Sequence, residues 1–323
     1  MLTYDEFGVV GKPYAHYRKW KLNGQGYRGP DIRWDRERII CIGASETFGF
    51  AESEGMEYPR QLERELNKRT GSERFQVVNV GYAGQSLRSY SRRAGKVDAI
   101  TQPRLALIYP SLAYYFDDSS AGADPVDWVK DQPGFESHLR TKVFDLLATL
   151  PEWMETLRFE FHIWKATRHT KTIQRVPELN VVRFHQDLNK VLDQLQRDHV
   201  QPVLITHATR FGQRVLPEDR PTLIAWRRFL PTLEEPAFLD IENRLNNVIR
   251  SEAASRNILL IDASDRLSGR ANFVDFGHFT NRGATAMSKI IANRLLTSND
   301  LNVSSGAPDN VAALGYSKNG VLR

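Results

Sequence analysis

Residues 38–49 read RIICIGASETFG, an apolar run that breaks abruptly into Gly43-Ala44-Ser45. Between Ile39 and Ile42 no polar residue alternates with the apolar ones. Both faces of that segment must be covered, as in a strand of a parallel sheet. Gly43 and Ala44 permit a tight turn from strand into helix. Such a turn holds a serine hydroxyl and its backbone N–H at the carboxyl edge of the sheet. Ligands of doubly wound sheets bind at that edge. A serine placed there is either a helix cap or a nucleophile, and the stretch alone leaves both open.

Four further apolar runs repeat the pattern: FQVVNVG at 75–81, RLALIYP at 104–110, PVLITH at 202–207 and ILLIDA at 258–263. Helical periodicity lies between them. Residues 58–70 place Leu62 and Leu66 four apart; 181–198 align Leu188, Val191, Leu192 and Leu195; 238–256 align Ile241, Leu245, Val248 and Ile249; 280–296 close the series. This alternation predicts an α/β fold, a three-layer α/β/α sandwich on a five-stranded parallel sheet. We expect a single domain over 1–297, with a lead-in at 1–36. The interval 111–180 is too long for a plain crossover and predicts a helical insertion packed on the main domain. It holds the helix-like ESHLRTKVFDLLATL and an aromatic cluster, Trp153, Phe159, Phe161 and Trp164, expected in a core rather than as a carbohydrate platform. The polar tail 298–323 reads as flexible.

A net charge of +5 with scattered basic residues supports no nucleic-acid partner and would suit an acidic substrate. The single cysteine, Cys41, cannot form an internal disulfide and reads as a small buried hydrophobe. No run of about 18 apolar residues and no signal-type N-terminus occurs, so no membrane partner is expected and a cytoplasmic location is. There is no His-Glu-x-x-His, cysteine cluster or phosphate-binding loop, so neither metal nor other cofactor is expected.

A serine nucleophile needs a base within hydrogen-bond reach. The segment FVDFGHFTNRGATAMS places Asp275 and His278 three apart, after the last strand and before the last helix. His278 could take the Ser45 proton while Asp275 orients the imidazole. The bland alternative is a surface Asp and a capping His. Their position after the final strand, with GASET after the first, argues against chance. His207 and Arg210 follow the fourth run and are candidates for a substrate carboxylate or phosphate, or for structural pairs. Asp117 and Asp118 are either a carboxylate pair or a solvated turn.

These blocks resemble the SGNH/GDSL hydrolase superfamily. Gly43-Ala44-Ser45-Glu46-Thr47-Phe48-Gly49 is similar to its first block, with Ala44 where the nickname has Asp. Asn79-Val80-Gly81-Tyr82-Ala83-Gly84 is similar to the second, and Asp275-Phe276-Gly277-His278 to the last. The resemblance implies a serine esterase acting on a small-molecule or glycan ester through a Ser45 acyl-enzyme. It also implies an oxyanion hole at the N–H groups of Ser45 and Gly84. The upstream LNGQGYRGPDIRW resembles a lead-in of some bacterial members, and its Arg28 either reaches the site or forms an ion pair. One departure is serious. The third block, Gly-x-Asn, is replaced by LALIYPSLAYYFDD, and no asparagine occurs between Asn79 and Asn180. A missing oxyanion donor costs about 3 kcal/mol of transition-state stabilisation. Ser111 or another side chain must substitute, or the backbone N–H groups must suffice, or the chain has left ester hydrolysis. Two alternatives therefore stand beside the esterase: an acyltransferase using the same residues, and a non-catalytic binding or scaffold protein. The sequence leaves oligomeric state open.

Overall fold

Ahead of the sheet the chain makes two small antiparallel hairpins, β1 (Leu2–Asp5) with β2 (Gly8–Gly11) and β3 (His16–Tyr17) with β4 (Trp20–Lys21). Strands of two residues carry too little alternation to be legible in the lead-in. The structure, a computed structural model, describes residues 2–5, 7–116, 152–169, 171–227, 229–298 and 301.

The sheet strands are β5 (Glu37–Gly43), β6 (Phe75–Asn79), β7 (Leu105–Tyr109), β8 (Gln201–Ile205) and β9 (Leu259–Ile261). They are ordered β6-β5-β7-β8-β9, and every pairing is parallel. The order reverses between β5 and β7, which makes their carboxyl ends the switch point of the sheet. The expected α/β/α sandwich is therefore present. Among the described residues its α-helices are α1 (Ser45–Phe48), α2 (Tyr58–Thr70), α3 (Leu87–Thr101), α4 (Glu152–Thr167), α5 (Glu178–Arg197), α6 (Arg220–Arg227), α7 (Glu235–Ser255) and α8 (Asn281–Thr297).

Strand alternation sorts the core into two layers. Ile40, Ile42, Ala106, Ile108 and Leu204 join Tyr90, Phe184, Leu188, Phe238 and Ile241 of α3, α5 and α7 on one face. Ile39, Cys41, Leu105, Leu107, Val203 and Ile205 join Leu62, Leu66, Met287 and Ile291 of α2 and α8 on the other. The runs lack polar alternation because helices cover both faces. Cys41 is fully buried there, and burial pushes its thiol far above its usual range.

Within the insertion, Phe159 and Ile163 of α4 pack on Ile224 of α6. The aromatic cluster does not share one core: Phe161 and Trp164 stand exposed. The stretch 136–150, the side chain of Trp153, and Asp117 and Asp118 lie outside the described residues. So does most of the 298–323 tail, apart from Ser298 and a buried Leu301. No described helix is long and apolar enough to cross a membrane.

Candidate active site

Ser45 is the first residue of α1, directly past the carboxyl end of β5. Its placement depends on Gly43, where a Cβ would sit 2.0 Å from Thr47 Oγ1 and 2.6 Å from the Tyr109 carbonyl. Gly49 ends the short helix in the left-handed region, at φ 83°. Arg28 fastens that end from below. Its guanidinium donates to the carbonyls of Phe48 and Gly49 and pairs with Glu57 at 3.2 Å, all buried. Arg28 thus forms an ion pair under the turn.

The loop carrying Asp275 and His278 is pinned at both ends. Phe273 and Phe279 form an antiparallel bridge, and both rings are buried in the core, 5.1 Å apart. Inside it, the Val274 N–H donates to the His278 carbonyl. Asp275 Oδ1 accepts the N–H groups of Gly277 and His278 at 3.1 and 2.9 Å. Its Oδ2 lies 2.8 Å from His278 Nδ1, and His278 Nε2 lies 2.9 Å from Ser45 Oγ. The three residues read from distant blocks thus form one hydrogen-bonded chain at the switch point. Because the Asp275 carboxylate accepts the Nδ1–H bond, the neutral imidazole keeps its proton on Nδ1 and presents a bare Nε2 to Ser45.

A fourth group in reach of Ser45 escaped the sequence reading. Glu46 is buried, and its Oε2 lies 3.3 Å from Ser45 Oγ. Its Oε1 accepts the Ser111 hydroxyl at 2.9 Å and stands 3.6 Å from His207 Nε2, an ion-pair separation beyond hydrogen-bond length. His207 is held in turn by Glu242, with Nδ1 to Oε1 at 2.6 Å. His207 therefore bridges two buried carboxylates and faces no open surface. Ser111 is committed to Glu46 and is not a free donor. Arg210 is also paired, its Nε 2.7 Å from buried Asp219. All three residues expected at a substrate or oxyanion thus stand in buried pairs, since a buried polar or charged group must find a partner.

Gly84 adopts φ 87°, which suits glycine, and a Cβ there would meet nothing within 4 Å. Its N–H donates to the hydroxyl of Tyr114, which follows β7 in the block where an asparagine was expected. Burial and the Glu46 charge push that phenol far above its usual range, so it stays protonated and able to donate.

The electrostatics follow from this packing. Burial opposes the charge on His278, but the bond and charge of Asp275, with Glu46 and Glu52, lift it to about 9. Burial likewise opposes the charge on Glu46, yet His207 and His278 hold it down at about 2. Glu52, buried with one oxygen unpartnered, is pushed up to about 8 by burial. Near neutral pH the resting site therefore holds an imidazolium at His278 beside a carboxylate at Glu46.

No protein-family model matches the chain, and no curated protein matches it. Solved structures do. The lipase/acylhydrolase from Enterococcus faecalis shares 14% identity at a TM-score of 0.47, covering 81% of this chain and 96% of that one. A GDSL-like lipase from Bacteroides thetaiotaomicron VPI-5482 shares 13% at 0.44, covering 81% and 89%. A variant of an acetyl xylan esterase from Geobacillus stearothermophilus shares 12% at 0.47, covering 80% and 94%. The fold class itself stands on strand order and register: a doubly wound sheet with a Ser–His–Asp chain at its switch point.

Proposed function

We propose that the chain is a serine esterase of SGNH/GDSL type, hydrolysing a carboxylic ester through an acyl-enzyme on Ser45. One observation carries the reading: Ser45 Oγ, His278 Nε2 and Asp275 are linked at 2.9 and 2.8 Å at the sheet edge where ligands bind. Neutral His278 takes the Ser45 proton as Oγ bonds to the ester carbonyl carbon. The proton passes to the leaving alkoxide as the carbon–alkoxide bond breaks. Water, deprotonated by the same imidazole, then releases the acid and restores Ser45.

On this reading the developing oxyanion receives the Ser45 N–H and the Tyr114 hydroxyl, which takes the Gly84 N–H that was itself expected to donate there. On this reading Tyr114 supplies the donor that the absent asparagine would supply. Asp275 and Glu46 both favour the imidazolium form of His278. This helps the transition state, where that charge forms, and it withholds the neutral base until the pH is alkaline.

Incubation with a serine-directed phosphonate at about pH 9, where His278 begins to be neutral, tests the reading by intact mass. One adduct, absent in Ser45→Ala, is expected, together with acid release from short-chain esters. No adduct between about pH 9 and 10 would overturn it. Product analysis with an added acceptor alcohol separates hydrolysis from acyl transfer.

A further inference from the structure

The small hairpin β3–β4 ends beside the site. Tyr17 and Trp20, paired across it, stack at 5.9 Å. Trp20 stacks in turn on Phe50 at 5.3 Å, and Phe50 lies 5.5 Å from the ring of His278. Tyr17 and Phe50 are 47% and 44% exposed, although four-fifths of the His278 side chain is covered. The hairpin is docked by Lys19, which donates to the Ala51 carbonyl at 2.6 Å, and by the Lys21–Glu54 pair. An aromatic column thus runs from solvent to the imidazole facing Ser45. Phe50 and Tyr17 are the kind of exposed large apolar side chains that a fold needs no reason to hide singly but seldom lines up.

We propose that this column is a subsite for an aryl group carried by the ester substrate, on its acyl or its alcohol side. The proposal rests on the serine-esterase reading for its chemistry. The geometry favours an aromatic ring over a sugar or a saturated chain. Neighbouring rings cover one another's faces, Arg18 stands 5.5 Å over Tyr17, and Lys19 stands 5.7 Å over Trp20. A sugar stacks on an open face, and the stacking of Tyr17, Trp20 and Phe50 takes up faces between them, which favours contact at ring edges. Edges are electropositive and attract the π-face of an aryl group in T-shaped contact.

The test compares esters of equal size and equal leaving group. Methyl 3-phenylpropanoate is set against methyl 3-cyclohexylpropanoate, and 2-phenylethyl acetate against 2-cyclohexylethyl acetate. In one pair the wild-type kcat/KM favours the phenyl member by about 2- to 13-fold, the equivalent of one aromatic pair. Trp20→Leu and Phe50→Leu, each checked by circular dichroism, bring that ratio to about one. Trp34→Leu, exposed on the lead-in, leaves it unchanged. A ratio near one in both wild-type pairs overturns the proposal, as does a preference that survives both leucine variants. So does an acetylated methyl glucoside whose hydrolysis depends on Trp20 more than the phenyl ester's does. The same four esters are titrated against Ser45→Ala by ligand-observed NMR. A phenyl preference in binding without hydrolysis by the wild type would retain the subsite and reject the esterase. Hydrolysis without preference would do the reverse.

Discussion

Glu46 follows Ser45 in the chain, and on the proposed mechanism its carboxylate sets the conditions under which Ser45 can react. It is a second acceptor for the serine hydroxyl and a fixed negative charge beside His278. Since His278 must be neutral to act as base, kcat/KM is expected to rise with pH and level off above about 9, read from a pH–rate profile. Glu46→Gln keeps the shape and removes the charge, so the midpoint should fall by roughly one unit. A midpoint that stays near that of the wild type would mean Glu46 is only packing. Tyr114→Phe should lower kcat by about a hundredfold with little change in pH profile, as expected of one lost oxyanion donor. Ser45→Ala should cost ~10⁴-fold or more. Ser45, Asp275 and His278 were legible because each lies in a short local block beside a strand end. Glu46 and Tyr114 were not. The first gains its meaning from Ser111 and His207, 65 and about 160 positions away; the second gains it from Gly84, through a backbone bond that no pattern announces.

At the scale of elements, two short pieces hold the site: the β5–α1 turn and the pinned loop before α8. Gly43→Ala should destabilise the protein and displace Ser45 together, because its Cβ would press on Thr47 and on the backbone of Tyr109. Chemical denaturation and ester turnover should report both losses. Phe279→Ala should cost about 3–5 kcal/mol and release the His278 loop. The Val- and Ile-rich strands were plain in the sequence, as were α2, α5, α7 and α8 with their apolar stripes. Helix α3 was not, since Ser89, Arg93 and Asp98 interrupt its stripe yet are buried in the fold. The hairpin β3–β4 was equally hidden. Its two-residue strands are held by stacking on Phe50 and by Lys19, contacts made across the chain.

For the whole molecule, activity and stability should run in opposite directions on the alkaline side. His278 and His207 are raised in the fold above their usual value, so their stabilisation is complete below about 6.5 and is lost as pH climbs through the raised values. Glu52 and Asp98 are raised by burial to about 8, so the fold also loses ground between the ordinary carboxylate range and there. The signs agree: the thermal midpoint should be lower at about pH 9 than at about 6, while kcat/KM is higher. Scanning calorimetry at the two values checks this, and a flat midpoint would contradict the buried network. By itself the sequence determined the layered α/β/α class, the five strands and the ordered blocks holding Ser45, Asp275 and His278. It did so because runs with no polar alternation have only one way to hide both faces. The tertiary structure alone decided that Ser111, His207 and Arg210 stand in buried pairs, that Glu46 lies within reach of Ser45 and Tyr114 beside Gly84, and that an aromatic column leads to His278. Those outcomes depend on which side chains meet once distant segments are packed, and a buried charge takes whichever partner the fold brings within reach.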